Sequence, residues 1–121
     1  MSIKQISAVT LAVRDMTRAV EFYKKLGMEI SYGGGDSFFT TFRAGEDALN
    51  LILAPGRQHE WWGRVILRVG AVDEVHERLK KAGLEPEEPR DAAWGERFFH
   101  IWDPDGNELS FAEVLPSREE T

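Results

Sequence analysis

The alternation of apolar and polar residues in the first half of the chain predicts a strand, a helix and three further strands. Residues 5–13 alternate towards apolar and β-branched types, a pattern that is typical of a strand. Asp15 to Thr17 offer helix N-cap side chains, apolar residues then recur at helical spacing, and Gly27 is a natural helix stop. The further strands are predicted at residues 28–32, 38–43 and 48–53, the last two forming a hairpin around Gly45.

The second half of the chain repeats this order of elements. Its pattern predicts a strand at residues 64–69 and a helix at residues 72–82, which Gly83 ends. Three more strands are predicted at residues 84–90, 97–102 and 108–114. We expect the charges and prolines of residues 85–91 to make that segment a solvated edge strand. The sequence DPDGN at residues 103–107 predicts a turn between the last two strands.

A shift of 56 residues aligns positions 9–29 with positions 65–85 and shows the repeat in the residues themselves. Eight of the 21 aligned positions are then identical. The identical pairs are Val9/Val65, Leu11/Leu67, Val13/Val69, Glu21/Glu77, Lys24/Lys80, Lys25/Lys81, Gly27/Gly83 and Glu29/Glu85. The shared order of strand, helix, glycine and strand indicates a duplication.

We therefore predict an α+β fold with two tandem β-α-β-β-β modules in a single domain. Module one is expected to span residues 1–56 and module two residues 63–115, followed by a polar tail at 116–121 that we expect to fray. The sheet of one module cannot bury both of its faces alone. We expect the helices to cover the outer faces and to leave a concave inner face between the two sheets.

Composition narrows the functional classes. The chain has 121 residues, the size of one ordinary domain, and no cysteine, which excludes disulfides and thiolate metal sites. Its 15 basic and 21 acidic residues give a net charge of −6, which disfavours nucleic-acid binding because phosphate contacts require clustered Lys and Arg. No apolar run approaches the roughly 18 residues of a membrane span. We expect a cytoplasmic protein with neither nucleic acid nor membrane as a partner.

Two segments carry a family resemblance. The patterns VTLAVRDMTRAVEFYKKLG at 9–27 and WGERFFHIWDPDGNELSF at 94–111, with the paired modules, resemble the vicinal oxygen chelate superfamily. That superfamily contains glyoxalase I, extradiol dioxygenases, fosfomycin resistance proteins and bleomycin resistance proteins. The resemblance implies that the modules curl as incomplete barrels around a cavity, often completed in a homodimer. The pattern is closest to the bleomycin resistance branch, which sequesters a drug without metal-dependent catalysis.

The same resemblance assigns four positions to the metal ligands of the superfamily's enzymes. These positions are Ala8, Asn50, Arg64 and Ser110. Alanine has no donor atom, arginine is a permanent cation, and the amide and the hydroxyl are weak neutral oxygen ligands. We therefore expect no metal and no cofactor.

Strand alternation counted from these positions indicates which side chains face the expected cavity. In module two they are Arg64, Ile66, Arg68, Phe98, His100, Trp102, Glu108, Ser110 and Ala112. In module one they are Ala8, Thr10, Ala12, Asn50 and Ile52, with Phe39, Thr41 and Arg43 opposite. A slip of one residue would replace the last three by Phe38, Thr40 and Phe42.

Two polar candidates have alternative roles that the sequence leaves open. His100 titrates near neutral pH, so it is either an acid–base or polar group of the cavity or a strand histidine bonded to a neighbour. Arg64 either grips an anion with its forked donors or pairs within the chain with Glu108, Asp47 or Glu96.

The aromatic candidates also have two interpretations. Trp61, Trp62 and Trp94 either stack on a planar or cationic ligand at the cavity mouth, or fill a dimer interface or the packing between modules. Together with a few orienting polar groups they define the expected ligand-binding set. That set is Phe39, Asn50, Trp61, Trp62, Arg64, Trp94, Phe98, His100 and Ser110.

Three functional hypotheses follow. The first is a metal-independent protein, expected as a homodimer, that binds a planar or amphipathic organic molecule such as an antibiotic. The second is a lyase, isomerase or dioxygenase of the same superfamily with an unusual metal site or none, and with His100 or Glu108 as general base. The third is an adaptor or regulatory protein whose own aromatic side chains fill the cavity.

Overall fold

The order of strand, helix and three strands occurs twice in the computed structural model, which describes residues 2–116. The elements are β1 (Ala8–Val13), α1 (Met16–Lys25), β2 (Ile30–Tyr32), β3 (Phe39–Ala44), β4 (Asp47–Leu53), β5 (Arg64–Arg68), α2 (Val72–Lys81), β6 (Arg90–Asp91), β7 (Glu96–Trp102) and β8 (Glu108–Val114). This confirms the predicted α+β fold with two tandem modules. Most of the predicted tail, residues 117–121, lies outside the described residues.

The chain divides into two compact units, each with a four-stranded sheet. Unit 1 comprises the chain up to Trp61 together with Asp103–Asn107, and unit 2 comprises Trp62–Trp102 with the residues from Glu108 onward. The strand orders are β1-β4-β3-β2 in unit 1 and β5-β8-β7-β6 in unit 2. In both sheets the first strand pairs in parallel with the last, and the other pairs are antiparallel. No helix among residues 2–116 is both long and apolar enough to cross a membrane.

Helix α1 begins and ends where the sequence predicts. The Asp15 carboxylate accepts a hydrogen bond of 3.0 Å from the Arg18 N–H, which satisfies one of the free donors of the first turn. Gly27, with φ 98°, follows the C-terminal end in the left-handed region that favours glycine. The buried face of α1 includes Tyr23, whose ring lies 5.6 Å from that of Phe42. The helix is therefore defined at both ends by local chemistry and held by its apolar face.

Helix α2 obtains its N-terminal cap from a distant residue. Its N-cap residue, Ala71, has no side-chain acceptor, and the N–H of Val72 instead donates a hydrogen bond of 2.9 Å to the carboxylate of Glu113 in β8. The His76 ring on the buried face of α2 makes an edge-to-face contact with Phe99 in β7, at 5.3 Å between ring centres. Helix α2 therefore covers the face of its sheet on which Phe99 lies.

The strand predicted at residues 84–90 is wrong over most of its length. Only Arg90–Asp91 forms a strand, β6, at the edge of the sheet of unit 2. Pro86 and Pro89 have no N–H to donate to a neighbouring strand, and a single hydrogen bond of 2.9 Å joins the N–H of Glu87 to the carbonyl oxygen of His100. The prolines thus limit pairing along this edge to two residues.

The predicted turn at residues 103–107 is present and forms a buried polar cluster within unit 1. Oδ1 of Asp103 accepts hydrogen bonds from the N–H groups of Asp105, at 2.9 Å, and Asn107, at 2.8 Å. Oδ2 of Asp103 accepts one from the hydroxyl of Tyr23 at 2.8 Å. Asp105 in turn accepts bonds from the N–H and Nε of Arg14 at 3.0 and 2.9 Å. Burial raises the pKa of Asp103 above its ordinary value. The hydrogen bonds that Asp103 accepts from Asn107, Tyr23 and Asp105 oppose that shift.

Candidate functional site

One face of the sheet of unit 2 carries most of the candidate residues. It lies opposite the face that α2 covers, and we call it the helix-free face. Cross-strand pairing arranges it in three rows. The rows are Arg64–Glu108–Trp102, Ile66–Ser110–His100 and Arg68–Ala112–Phe98–Arg90. The residues predicted for module two therefore share one face of the sheet, and the cavity that this face is expected to line stays a prediction.

The helix-free face is buried along its central strand and exposed at its flanks. Glu108, Ser110 and Ala112 of β8 are buried. Ile66 of β5 is 62% exposed and Trp102 of β7 is 41% exposed. Along residues 108–112, the flanking strands therefore present more side-chain surface to solvent than β8 does.

Arg64 pairs with Glu108, one of the partners that the sequence left open. Nε of Arg64 donates to Oε2 of Glu108, directly across the parallel pair of β5 and β8. The two side chains differ in exposure, 41% for Arg64 and 8% for Glu108. The carboxylate is thus recessed, and the guanidinium that neutralises it reaches solvent.

His100 lies between two aromatic side chains of the same strand. Its ring centre is 5.2 Å from that of Phe98 and 6.3 Å from that of Trp102. Its Nδ1 is buried and has no hydrogen-bond partner among residues 2–116. Burial lowers the pKa of His100, and the nearby cation of Arg64 lowers it further. The lowered pKa favours the neutral imidazole at neutral pH, with a buried Nδ1 that no described residue bonds.

The aromatic side chains form a continuous row along β7 and the preceding loop. The Trp94 ring stacks on Phe98 with ring centres 6.0 Å apart and planes inclined by 22°. The guanidinium of Arg90 lies 4.7 Å from the centre of the Phe98 ring. Trp94 is 72% exposed, and its Nε1 donates to Glu96 at 2.8 Å. We call Trp94, Phe98, His100 and Trp102 the aromatic row.

Two members of the predicted set, Asn50 and Phe39, lie in unit 1 on the predicted face of its sheet. Asn50 is opposite Thr10 and Thr41, and Phe39 is opposite Ile52, so the predicted register holds and the one-residue slip does not occur. Oδ1 of Asn50 accepts a hydrogen bond of 2.8 Å from the Thr41 hydroxyl, and its Nδ2 donates one of 3.2 Å to the Thr10 hydroxyl. Asn50 thus joins three strands of its own sheet.

Two further tryptophans of the predicted set lie in the long loop between the modules. Trp61 and Trp62 are exposed in the segment before β5, at the boundary where unit 1 gives way to unit 2. Their assignment to a ligand stays a prediction. The structure adds Arg90 and Trp102 to the site, neither of which belongs to the predicted set. Strand alternation had already predicted that Trp102 lies on this face, without placing it in the ligand-binding set, whereas Arg90 required the pairing of β6 with β7.

The residues present do not fit the metal of the superfamily's enzymes. At the four positions that the resemblance assigns, one side chain has no donor, one is a guanidinium, and the remaining two are an amide and a hydroxyl. Within residues 2–116, no group of three or more His, Asp or Glu residues is placed to hold a metal ion.

Many solved structures are similar to this chain over most of its length. A bleomycin resistance determinant encoded on the transposon Tn5 has a TM-score of 0.79 and 22% identity, covering 92% of this chain and 98% of that one. A bleomycin-binding protein solved with bleomycin has a TM-score of 0.73 and 22% identity, with coverages of 95% and 100%. A lactoylglutathione lyase from Agrobacterium tumefaciens has a TM-score of 0.73 and 22% identity, with coverages of 93% and 96%. At this identity the likeness is one of fold.

The family of the chain is shown by its sequence. No protein of curated function matches the sequence significantly. The sequence model of the Glyoxalase/Bleomycin resistance protein/Dioxygenase superfamily, however, matches residues 5–111, which is most of the chain and includes both modules. The chain belongs to the glyoxalase/bleomycin resistance protein/dioxygenase superfamily.

Proposed function

We propose that this protein is a metal-independent binding protein for a planar or amphipathic organic molecule, such as an antibiotic. The observation that carries the proposal is the aromatic row on the helix-free face, with exposed ring surface at Trp94 and Trp102. Exposed aromatic rings in a continuous row form a stacking surface. Leaving such apolar surface in water does not stabilise the fold, so a patch of this kind is typical of a binding site. A flat organic ligand would cover these rings.

Polar groups beside the aromatic row supply the orienting contacts that such sites use. Arg64 offers a charged donor at the exposed end of its ion pair with Glu108. The Nδ1 of His100 is buried and has no partner among the described residues, so a ligand that reaches it would supply one. Ser110, directly across from His100, adds a hydroxyl at the centre of the sheet.

The absence of suitable ligands at Ala8, Asn50, Arg64 and Ser110 supports the metal-independent part of the proposal. The similar structures support binding of a small organic molecule, since one was solved as a bleomycin-binding protein with bleomycin bound. We propose the same mode of function here, sequestration rather than turnover. We also propose that the protein is a homodimer, for which sedimentation velocity should give twice the mass of one 13.8 kDa chain.

A lyase or isomerase is the second candidate function. The specific observation in its favour is His100, a neutral imidazole with an unpartnered nitrogen next to the carboxylate–guanidinium pair. Such a base can take a proton from a bound substrate. The fold is also that of a lactoylglutathione lyase. A His100→Gln variant that keeps ligand binding but abolishes conversion of the ligand would favour this candidate.

Tryptophan fluorescence and calorimetric titration test the binding function. We expect bleomycin or a planar aromatic drug from a small panel to change the fluorescence of the wild-type protein. Trp102→Leu and Phe98→Leu should weaken that binding about tenfold, as expected for loss of stacking surface. Phe38→Leu, which alters an exposed ring in unit 1, is the matched control and should leave binding unchanged.

Two results would overturn the proposal. The first is a lack of response to every compound in fluorescence, calorimetry and thermal shift, which would favour an adaptor without a ligand. The second is stoichiometric Ni, Zn, Mn or Fe in untagged protein, which would contradict the metal-independent part.

A further inference from the structure

The third row of the helix-free face places an arginine at each of its ends. Arg68 of β5 lies opposite Ala112, which lies opposite Phe98, which in turn lies opposite Arg90. Neighbouring strands are about 4.8 Å apart, so the two arginines stand about 14 Å apart, with an aromatic ring between them. This row combines apolar surface with a cation at each end.

Of the three arginines on the helix-free face, Arg68 is the one whose guanidinium has no partner among residues 2–116. Arg64 is held by Glu108, and Arg90 lies 3.9 Å from Glu87 and over the Phe98 ring. The side chain of Arg68 is exposed and makes no hydrogen bond or ion pair with any residue between 2 and 116. Its neighbour across the sheet, Ala112, provides no acceptor. A free guanidinium beside apolar surface is suited to an anion.

The carboxylates near this face are already engaged or recessed. Glu108 is 8% exposed and paired with Arg64, and Glu96 accepts the Nε1–H of Trp94. Glu87 lies beside Arg90, and its Oε1 is buried. A cationic ligand would have to displace one of these partners while facing three arginines, whereas an anionic one meets Arg68 directly.

We infer that the ligand of this face is an aromatic anion, a planar ring system bearing a carboxylate or a comparable anionic group. Its ring lies along the aromatic row and its anionic group pairs with the guanidinium of Arg68. The inference rests on the proposed function and adds to it the charge of the ligand. It also separates this protein from binders of cationic drugs, although the net charge of the whole chain is −6.

Three probes that share one ring system test the charge of the ligand. They are 2-naphthoate, naphthalen-2-ylmethanol and naphthalen-2-ylmethylammonium, titrated into the full-length protein by calorimetry at low ionic strength. We expect 2-naphthoate to bind about tenfold more tightly than the alcohol, since charge-assisted hydrogen bonds contribute roughly this much. The ammonium compound should bind most weakly.

Variants of Arg68 link the preference to one side chain. Arg68→Gln should remove most of the advantage of 2-naphthoate over the alcohol and leave the affinity for the alcohol unchanged, whereas Arg68→Lys should keep most of it. Lys81→Gln makes the same change in charge on α2, which covers the opposite face, and should have no effect. Thermal denaturation of each variant reports that it is folded.

The titrations distinguish a failure of the inferred anion preference from a failure of the proposed binding function. If the alcohol and 2-naphthoate bind equally, or if the ammonium compound binds best, the inferred anion preference is overturned while the binding function stands. If Arg68→Gln leaves the preference intact, the assignment to Arg68 is wrong. If none of the three probes nor any compound of the drug panel binds, it is the proposed function itself that fails.

Discussion

The hydroxyl of Tyr23 donates a hydrogen bond of 2.8 Å to Oδ2 of Asp103, a residue 80 positions further along the chain. Both side chains are buried, Tyr23 fully. The bond joins α1 to the DPDGN turn, and both belong to unit 1. A buried carboxylate that loses one of its donors bears the cost of desolvation without compensation.

We expect Tyr23→Phe to lower the free energy of unfolding by about 1–3 kcal/mol, because it removes the hydroxyl and leaves the Asp103 carboxylate with fewer donors. Urea denaturation at pH 7 measures the change. Tyr32→Phe removes the hydroxyl of an exposed tyrosine and should alter stability by less than about 0.5 kcal/mol. Equal effects of the two substitutions would contradict the role of the buried bond.

The same tyrosine predicts a loss of stability at high pH. Burial raises the pKa of Tyr23 well above its ordinary value of 10.0, and the Asp103 carboxylate raises it further. Since the pKa in the folded protein is higher than in the unfolded chain, this stability is present below pH 10 and declines as the pH rises above it. The free energy of unfolding, measured by urea denaturation at several pH values between 9 and 11, should fall less steeply with pH for Tyr23→Phe than for the wild type. Parallel curves would show that Tyr23 does not cause the decline.

Gly33 and Gly45 should differ in their tolerance of a side chain. Both have positive φ, 80° and 63°, so alanine is strained at either position, by about 1–2 kcal/mol. A Cβ at Gly33 would also lie 2.4 Å from the carbonyl oxygen of Phe39, whereas a Cβ at Gly45 would meet open space. We expect Gly33→Ala to cost about 1–3 kcal/mol more than Gly45→Ala in thermal or urea denaturation. The comparison fails if the two variants are equally stable.

We expect Glu113 to stabilise α2 by about as much free energy as an ordinary N-cap side chain does. Its carboxylate accepts the Val72 N–H at 2.9 Å where Ala71 has no side chain able to do so. Glu113→Ala should therefore destabilise the protein by about 1 kcal/mol, as measured by urea denaturation. Glu113→Gln keeps an acceptor and should lose less. A larger loss for the glutamine variant would rule out capping as the reason.

The pKa of His100 should respond in opposite directions to its two charged neighbours. Arg64 lowers this pKa and Glu108 raises it, in addition to the lowering by burial. We expect Arg64→Gln to raise the pKa of His100 and Glu108→Gln to lower it, with NMR titration of the ring protons as the measurement. A shift of the same sign in both variants would contradict the arrangement.

The lowered pKa of His100 also predicts a loss of stability at acidic pH. Because the pKa of His100 in the folded protein lies below its ordinary value of 6.5, the unfolded chain takes up a proton first as the pH falls. Stability is therefore retained above pH 6.5 and declines below it. The decline should be smaller in His100→Gln.

Much of the candidate site follows from strand alternation. Once Ser110 is assigned to a face, the period of two places Glu108 and Ala112 on that face. The hairpin across the DPDGN turn adds His100 and Phe98, and the structure agrees. Arg90 could not be assigned in this way, because its strand has two residues and local spacing cannot indicate where so short a segment pairs. The strand expected before it is absent because Pro86 and Pro89 interrupt the row of donors.

The sequence by itself determined the order of the elements, the ends of α1, the DPDGN turn and the faces of the long strands. Those features depend on residues within a few positions of one another. Only the tertiary structure decided that Arg64 pairs with Glu108, that Glu113 caps α2 and that Tyr23 reaches Asp103. These partners are 44, 41 and 80 positions apart. Which of several available carboxylates lies beside a given donor is set by how strands and helices pack, because local spacing does not carry that information.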